Sequence, residues 1–552
     1  MKYLLIILFL FLNLFFSIPQ LAFSKNNKSD EVRGEIMLIH NNTLPIILNK
    51  TNLSTKGKVS QNQNQDTITI GPYDSASVSL HILHINDFHG VVEPVMAPEI
   101  SKESPAGGIA HIKTLIDQER ERDFAGTILL NAGDLAEGTM VAYISKGRVV
   151  TEAFKEIGFD AITLGNHDFA WGQEGLKYML EGLDTPVLGA NIRKSDDGTV
   201  MDGLEPYIIK EMKGIKVAVI GLDTPDIAHF IEESKRKGLD FKGAAETVEK
   251  YIPEVKEKGA DLVIVLSHLG EKEDEKLAAE VKGIDVIVGG HSHTKIDEAR
   301  KVGDTLIVQA GAQGKFLGKL DIDVDLQSKK IVSYTSRLIP VIADEITPDP
   351  EIEKIIAPYL AEAEKFGSAV MGEASEDLIH GHRFMGKLNQ IHADSIWAKS
   401  GAPFGICNSR TLRGNIKAGT VTKKDLYTAL PFTEEGFVTL TIEGKYIRQH
   451  IENCLSDGAT ELAIPAGSLK YSYAPSKAEG HRLTSLTLDG KELDDNAEYF
   501  IFVNETMGRH KDFETAKDKK KIGSSQEEFF EYFKAHKGPW NNKTDDRITV
   551  VK

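Results

Sequence analysis

Cysteine is nearly absent from this chain, which has only Cys407 and Cys454 among its 552 residues. Two thiols that far apart cannot form a thiolate metal site, so a metal bound here would need oxygen and nitrogen ligands. An exported chain could join the two cysteines in a disulfide, and two buried free thiols are the alternative. The sequence leaves both interpretations open.

Positive charge is also in deficit: 65 lysines and arginines stand against 82 aspartates and glutamates, for a net charge of −17. Such a surface repels nucleic-acid backbones and anionic membranes, which disfavours a nuclease. Small anionic substrates are still compatible with it, because bound divalent cations reverse the charge locally. We therefore predict a small-molecule partner and no nucleic acid, while the oligomeric state stays open.

Long hydrophobic runs are missing everywhere except at the N-terminus. Lys2 precedes an apolar run from Tyr3 to Phe16, and Ala22-Phe23-Ser24 offers small residues for cleavage. We predict that residues 1–24 are a signal peptide, with retention as a membrane anchor as the alternative. After cleavage we expect no stable membrane insertion and a secreted, periplasmic or cell-surface protein.

Along the rest of the chain, the residue composition and the hydrophobic pattern change. Residues 25–77 are rich in Asn, Gln, Ser, Lys and Thr and are predicted to be a disordered polar spacer. Short apolar runs then alternate with amphipathic stretches, which predicts an α/β domain over 78–342. A helical pattern begins near Pro350 and predicts a linking helix over 343–367. Residues 368–552 have a mixed α+β pattern.

Several of the apolar runs are followed directly by side chains that can bind a metal. The segments are Asn86-Asp87-Phe88-His89-Gly90, Asn131-Ala132-Gly133-Asp134, Gly165-Asn166-His167-Asp168, Ser267-His268-Leu269-Gly270 and Gly289-Gly290-His291-Ser292-His293. Each segment alone could be a turn, a helix cap or a structural histidine. Together they predict a site for divalent ions at the carboxyl edge of a sheet. Two such ions can activate water and stabilise the oxygens of a transferring phosphoryl group.

In this order the segments resemble the signature of the calcineurin-like metallophosphoesterases. Leu83-His84-Ile85-Asn86-Asp87-Phe88-His89-Gly90 narrows the resemblance to the 5′-nucleotidase branch. The resemblance implies a four-layer αββα catalytic domain, a linking helix and a C-terminal mixed α+β domain that binds the rest of the substrate. It also implies two divalent metal ions, with Mn, Zn, Fe, Mg and Ca all open as their identity.

The resemblance also assigns roles to single residues. The metal-binding residues fall into three sets: Asp87, His89 and His293 for one ion, Asn166, His268 and His291 for the other, and Asp134 as the bridge. His167 is expected to contact the transferring phosphoryl group, with Asp168 orienting its ring. The branch usually has an acid at the position that Ala170 occupies here.

The predicted substrate pocket departs from the usual pattern of this branch. Residues 407–419 stand in place of an Asn-Gly-Gly-Gly-Ile-Arg motif, and arginine replaces one of its glycines. The candidate substrate-binding residues are Asn408, Arg410, Arg413, Phe432 and Phe513. The arginines could clamp an anion and the phenylalanines could stack on a base. A solvated basic turn and a core phenylalanine are the alternative interpretations.

The sequence thus predicts an exported hydrolase that cleaves phosphate esters of nucleotides or related small molecules by attack of a metal-bound hydroxide. The alternative on the same scaffold is a 2′,3′-cyclic nucleotide phosphodiesterase or a nucleotide-sugar diphosphatase. The arginines favour a polar or anionic leaving group. A non-catalytic surface binding protein is a different class, disfavoured because no predicted metal ligand is missing.

Overall fold

The computed structural model describes residues 76–227, 231–432 and 435–551, together with three two-residue strands near the N-terminus. These strands form a small antiparallel sheet in the order Leu21–Ala22, Met37–Leu38, Ile46–Ile47. The other residues of the predicted signal peptide, and nearly all of the predicted polar spacer, lie outside the described residues. Within the described part, no helix is long and apolar enough to cross a membrane. The three short strands lie in a unit that ends at residue 76, and residues 77–552 form the large unit.

Two six-stranded sheets form the N-terminal domain of the large unit. In spatial order the first consists of Ile331–Pro340, Phe316–Asp325, Ser77–Ile85, Thr127–Ala132, Ala161–Thr163 and Val187–Leu188. The second consists of Tyr207–Met212, Ile215–Asp223, Leu262–His268, Val286–Gly289, Thr305–Val308 and Arg300–Val302. In the first sheet the four strands from Ser77–Ile85 to Val187–Leu188 are parallel, and the antiparallel strands lie at the opposite edge. In the second sheet the four central strands are parallel and both edge strands are antiparallel.

The two sheets pack face to face, and helices cover their outer faces. Ile82 and Ile264 are buried between the sheets, whereas their neighbours Leu83 and Val265 are buried under the outer helices. This alternation follows from the pleat of a β-strand. The outer helices are Ile109–Arg122, Met140–Ile144, Arg148–Ile157 and Gly172–Leu180 on one side and Ala244–Glu257 and Glu271–Glu280 on the other. The predicted four-layer αββα architecture is confirmed.

A single helix, Pro350–Gly367, links the N-terminal domain to the C-terminal domain. Asp349 caps this helix, because its carboxylate accepts the N–H groups of Glu351 and Ile352 at 3.0 and 2.9 Å. The buried side chain of Ile352 belongs to an apolar cluster with residues of both domains. The helix therefore packs against both domains and is not a free tether.

The C-terminal domain is mixed α+β, as predicted. Its central sheet has the order Ala463–Gly467, Phe404–Asn408, Glu498–Asn504, Gly436–Glu443, Lys517–Ser524. A second sheet has the order Lys491–Glu492, Leu483–Leu488, Leu469–Tyr473, Ile548–Val550, and Val370–Ala374 pairs with Gly419–Thr422. The helices are Lys387–Ser400, Lys423–Ala429, Gly444–Cys454, Glu505–Arg509 and Ser525–Ala535. Cys407 and Cys454 are both buried free thiols, so the disulfide alternative is wrong.

Candidate metal centre and adjoining pocket

The segments predicted to bind metal meet at the carboxyl ends of the parallel strands. Their side chains form two groups, Asp87, His89, Asp134 and His293 in one and Asp134, His268 and His291 in the other, with ligand atoms within 4.8 Å of one another. The Oδ1 atom of Asn166 lies 2.9 Å from Nδ1 of His291, so this amide oxygen is at the second group. The structure thus brings all the predicted metal-binding residues together, in two sets that share Asp134.

The distances between the ligand atoms fit small divalent ions. His89 Nε2 lies 3.1 Å from His293 Nε2 and 3.6 Å from Asp134 Oδ2. His268 Nε2 lies 3.2 Å from Asp134 Oδ2. Ligands bound to zinc at about 2.0–2.2 Å in a tetrahedron stand roughly 3.3–3.6 Å apart, which is close to these separations. His268 Nε2 is also buried without a hydrogen-bond partner, as a lone pair directed at a metal would be.

Hydrogen bonds at the opposite ring nitrogens orient two of these imidazoles. His89 Nδ1 donates to the carbonyl oxygen of Glu137 at 2.7 Å, and His268 Nδ1 donates to that of Ala132 at 2.7 Å. Because a carbonyl oxygen only accepts, the proton of each ring is on Nδ1. The lone pair of Nε2 therefore faces the centre in both residues, as in protein metal sites.

Most of the predicted ligands have a strained backbone. The ligands with φ between 49° and 71° are Asp87, His89, Asp134, His291 and His293. Non-glycine residues rarely adopt such values, which cost about 1–3 kcal/mol each and cluster at functional sites. Hydrogen bonds between the loops hold this conformation: Asp87 Oδ1 accepts the N–H of His291 at 3.0 Å, and Asp87 N–H donates to Gly133 at 3.0 Å.

Burial sets the protonation of the group. It raises the pKa of Asp87 to about 7 and lowers the pKa of His89 and of His291 to about 3. Burial alone would also raise the pKa of Asp134, but the attraction of a protonated His268 outweighs it and holds that pKa well below its usual value. Asp134 likewise outweighs burial and raises the pKa of His268, so a metal bound here would displace the proton from Nε2 of His268. Neutral imidazoles and an ionised carboxylate are the forms that bind a metal.

The predicted partner of His167 is wrong. The carboxylate of Asp168 is fully buried and does not contact the ring. It accepts backbone N–H groups at 3.1, 2.8 and 2.8 Å, those of Asp134, Leu135 and Gly165. Asp168 thus links the loop of Asp134 to the turn that begins at Gly165. Its buried carboxylate is satisfied by these backbone N–H groups. His167 Nδ1 lies instead 2.5 Å from Oε2 of Glu137. Glu137 was not among the predicted site residues, and the alanine at position 170, where the branch usually has an acid, was the one sequence signal for a substitute.

A cavity of about 230 Å³ lies between the metal centre and the C-terminal domain. Among its lining residues are His167, Asp134, His291 and His293 from the N-terminal domain and Asn408, Arg410, Arg413 and Phe432 from the C-terminal domain. Four of the candidate substrate-binding residues are therefore at the cavity.

Phe432 and Arg413 lie next to His167. The ring of Phe432 stacks on that of His167, with the ring centres 5.1 Å apart and the planes at 25°. The guanidinium group of Arg413 is 4.9 Å from the centre of the Phe432 ring. Burial, followed by the charge of Arg410, lowers the pKa of Arg413 to about 10, so this side chain is still charged at neutral pH. No carboxylate among the described residues forms an ion pair with it.

Asn408 and Arg410 have protein partners at the cavity wall. The side chain of Asn408 donates to Oε2 of Glu461 at 2.6 Å and accepts the N–H of Arg410 at 2.8 Å. Arg410 donates to Oγ1 of Thr460 at 3.1 Å. Asn408 therefore shapes the loop that presents both arginines.

Phe513 does not line the cavity, which corrects its predicted contact with substrate. It is fully buried in the C-terminal core, with its ring centre 4.9 Å from that of His450. A side chain without exposed surface cannot stack on a base. Among the described lining residues, Phe432 is the only phenylalanine, tyrosine or tryptophan. The described lining residues therefore offer no second Phe, Tyr or Trp ring that could hold a base against Phe432.

Comparisons with known proteins agree with this arrangement. The calcineurin-like phosphoesterase family matches residues 80–295, and the 5′-nucleotidase C-terminal domain matches residues 372–518. The chain is 28% identical over 463 residues to the endonuclease YhcR of Bacillus subtilis (strain 168), covering 78% of this chain. It spans only 37% of the length of that relative.

Two other proteins are similar to this chain over most of their own length. The chain is 30% identical over 461 residues to the snake venom 5′-nucleotidase of Naja atra, covering 75% of this chain and 85% of that one. The crystal structure of a 5′-nucleotidase precursor from Thermus thermophilus is 27% identical with a TM-score of 0.74, covering 86% of this chain and 99% of that one. Similarity of this extent, running through both domains, makes the chain a member of the 5′-nucleotidase family of calcineurin-like phosphoesterases.

Proposed function

We propose that this protein is an exported, dinuclear metal-dependent phosphoesterase that hydrolyses phosphate esters of nucleotides or related small molecules. The observation that carries the proposal is the pair of ligand groups that share Asp134 and border an interdomain cavity. Membership of the 5′-nucleotidase family supports the same reaction class. The apolar run from Tyr3 to Phe16 supports export.

In this proposal the metal-binding residues divide as follows: Asp87, His89 and His293 hold one ion, Asn166, His268 and His291 hold the other, and Asp134 bridges them. Carboxylate, imidazole and amide donors suit Mn, Fe or Zn, and the harder ions Mg and Ca are also compatible with the oxygen ligands. Bound there, two divalent ions supply an activated water and neutralise charge on the phosphoryl oxygens.

His167 and Arg413 complete the proposed catalytic centre. Because Nδ1 of His167 faces Glu137, Nε2 is the nitrogen available to the transferring phosphoryl group. A positioned donor in a site that excludes water stabilises the transition state by about 2.7–4 kcal/mol. Arg413, charged and half-buried beside the metal centre, binds the phosphate oxygens through its guanidinium fork.

The residues of the cavity wall indicate which kind of leaving group the site favours. Charged side chains of both signs line the cavity, and Phe432 is its one large aromatic side chain among the described residues. Besides Arg410 and Arg413, the charged lining residues include Glu137, Glu232, Lys235, Glu435, Glu461 and Arg509. A nucleobase held by one ring gains less stacking energy than one held between two. We therefore favour a polar or anionic leaving group, such as a sugar or a second phosphate. This lining favours a nucleotide-sugar diphosphatase as the second candidate.

The test is phosphate release by the purified protein, after metal removal and again after adding manganese. The panel would contain AMP, ADP, a nucleotide sugar, a 2′,3′-cyclic nucleotide, a sugar phosphate and an aryl phosphate. We expect turnover that needs metal and is fastest on substrates with polar leaving groups. No turnover of any compound by folded, metal-loaded protein would instead support the non-catalytic binding protein. The N-terminal sequence of the exported protein would test cleavage after residue 24.

A further inference from the structure

We propose that Glu137 is the positioning residue for His167, replacing the acid that the 5′-nucleotidase branch usually has where Ala170 stands. The proposal rests on the proposed hydrolysis, because it concerns the same site. It adds a residue to that site and explains how the site works without the usual acid.

The contacts of Glu137 place it between the metal centre and the cavity. Its carboxylate Oε2 lies 2.5 Å from His167 Nδ1, and its side chain is only 7% exposed. Its backbone carbonyl oxygen accepts Nδ1–H of His89 at 2.7 Å. One residue thus orients both a predicted metal ligand and the imidazole that faces the cavity.

No other described carboxylate holds the His167 ring. Asp168 accepts three backbone N–H groups and no ring nitrogen. Asp134 Oδ1 accepts the backbone N–H of His167 at 2.9 Å, which fixes the main chain and not the ring. Ala170 lines the cavity but has only a methyl group. The side-chain partner of this imidazole is therefore Glu137.

The pairing has a direct chemical consequence. A carboxylate only accepts hydrogen bonds when ionised, so it keeps the proton of His167 on Nδ1 and leaves Nε2 for the cavity. Phe432 stacks on one face of the same ring and His89 contacts it edge-on, with ring centres 5.1 and 5.0 Å away. Packing thus fixes the plane of the ring. The contact with Glu137 fixes how the ring is turned within that plane.

The acid that contacts the ring lies in a different loop from position 170. Ala170 follows the turn Asn166–Phe169, which carries His167 itself. Glu137 lies three positions after Asp134, in the loop of the predicted bridging ligand. The orientation of His167 is therefore coupled to the loop that holds the metal, and an acid returned to position 170 should be able to replace Glu137.

The experiment compares Glu137→Gln, the double variant Glu137→Gln/Ala170→Asp and the control Glu156→Gln, which changes an exposed glutamate of the same domain. Glutamine keeps the backbone carbonyl that orients His89. We expect Glu137→Gln to lower kcat about 10–100-fold, as loss of an orienting carboxylate does, with little change in KM or in bound metal. The kcat of the double variant should be at least about tenfold higher than that of Glu137→Gln. The kcat of Glu156→Gln should equal that of wild type.

A double-mutant cycle with His167→Asn tests whether Glu137 acts through the ring. If it does, Glu137→Gln has little further effect on kcat in the His167→Asn background. Wild-type kcat in Glu137→Gln, or equal losses in both backgrounds, would overturn the role of Glu137. Loss of bound metal in Glu137→Gln, with no recovery of kcat in Glu137→Gln/Ala170→Asp, would also overturn it. An inactive wild-type protein would instead refute the proposed function, so the two failures are distinguishable.

Discussion

Asp134 belongs to both ligand groups, and its position depends on a glycine in the neighbouring loop. A Cβ atom added to Gly165 would lie 2.3 Å from Asp134 Oδ1 and 2.5 Å from His268 Nε2. Non-bonded carbon atoms do not come that close to such atoms, so the approach of the two loops requires glycine. Gly165 is therefore part of the site although it offers no ligand.

We expect Asp134→Ala to remove metal from both groups at once. Phosphate release should fall at least about 100-fold, because changes even outside the ligand shell cost about 10–100-fold. Bound metal is measured by plasma mass spectrometry after desalting. The control is Asp184→Ala, which removes a carboxylate that is 78% exposed. Full metal content and full activity in Asp134→Ala would contradict the bridging role.

Arg413 offers a second prediction for a single residue. Charge-assisted hydrogen bonds contribute about 1.5–3 kcal/mol, so Arg413→Ala should raise KM by about 10–100-fold. Arg413→Lys should recover only part of the loss, since an ammonium group lacks the planar fork. Steady-state kinetics and inhibition by inorganic phosphate measure the effect. Arg122→Ala, at a side chain that is 62% exposed, is the control. An unchanged KM and unchanged phosphate inhibition would refute phosphate binding by Arg413.

At the scale of elements, strand pairing reaches one of the predicted metal ligands. The sequence predicts a loop at His268, but this residue ends the strand Leu262–His268. It stays in the strand because its backbone pairs with Asp223 of the neighbouring parallel strand. The sheet ladder therefore fixes the backbone of His268, whereas the ligands at positive φ are fixed by bonds between loops.

In the C-terminal domain, the helix Gly444–Cys454 packs on the turn Lys511–Phe513 through a buried ion pair. His450 Nδ1 lies 2.9 Å from Asp512 Oδ2. Burial alone would lower the pKa of His450, but Cys454 and the bond to Asp512 outweigh it and raise that pKa from 6.5 to about 10. A raised folded-state pKa stabilises the protein fully below pH 6.5, and the stabilisation is lost as pH rises towards 10.

We therefore expect the free energy of unfolding to fall between pH 6.5 and pH 10 by about 1–3 kcal/mol more in wild type than in His450→Gln. Denaturant unfolding of the metal-free protein across this pH range measures the difference. Metal-free samples remove the pH dependence of metal binding from both proteins. The same pH dependence in wild type and His450→Gln would show that the pair contributes nothing.

At the scale of the whole molecule, one apolar cluster joins the two domains. Ile116 of the N-terminal domain, Ile352 of the linking helix and Leu426 of the C-terminal domain all belong to it and are fully buried. Because the linking helix shares its apolar core with both domains, the domains are not independent, and we expect the large unit to unfold in one cooperative transition.

Metal removal should lower the stability of this whole unit. A ligand that binds only the folded state at 100 times its Kd adds about 2.7 kcal/mol, so chelation should lower Tm by several degrees. Scanning calorimetry with and without manganese measures the shift. Asp134→Ala should show little response to manganese. Two transitions, of which only one responds to metal, would contradict a shared core.

Much of the fold could be predicted because its signals are local. Alternation of apolar runs and amphipathic stretches indicated the layered N-terminal domain, and Asp349-Pro350 marked the start of the linking helix. The signal peptide stays a prediction, as do the exact domain boundaries. The disulfide could not be decided from sequence, because the meeting of Cys407 and Cys454 depends on the packing of a strand against a helix.

The sequence by itself determined which residues converge at the metal centre. Each of them lies at or just after the carboxyl end of an apolar strand, and parallel strands of one sheet end at the same edge. The meeting of the two edges, with Asp87 and Asp134 at one sheet and His268 and His291 at the other, was decided by the packing of the sheets.

Only the tertiary structure decided which acid holds His167 and that Phe513 is buried in the core. Glu137 meets His167 across 30 positions of the chain, and Phe513 is covered by His450 of a helix far away in sequence. Such contacts depend on how loops and helices pack, which local patterns do not specify.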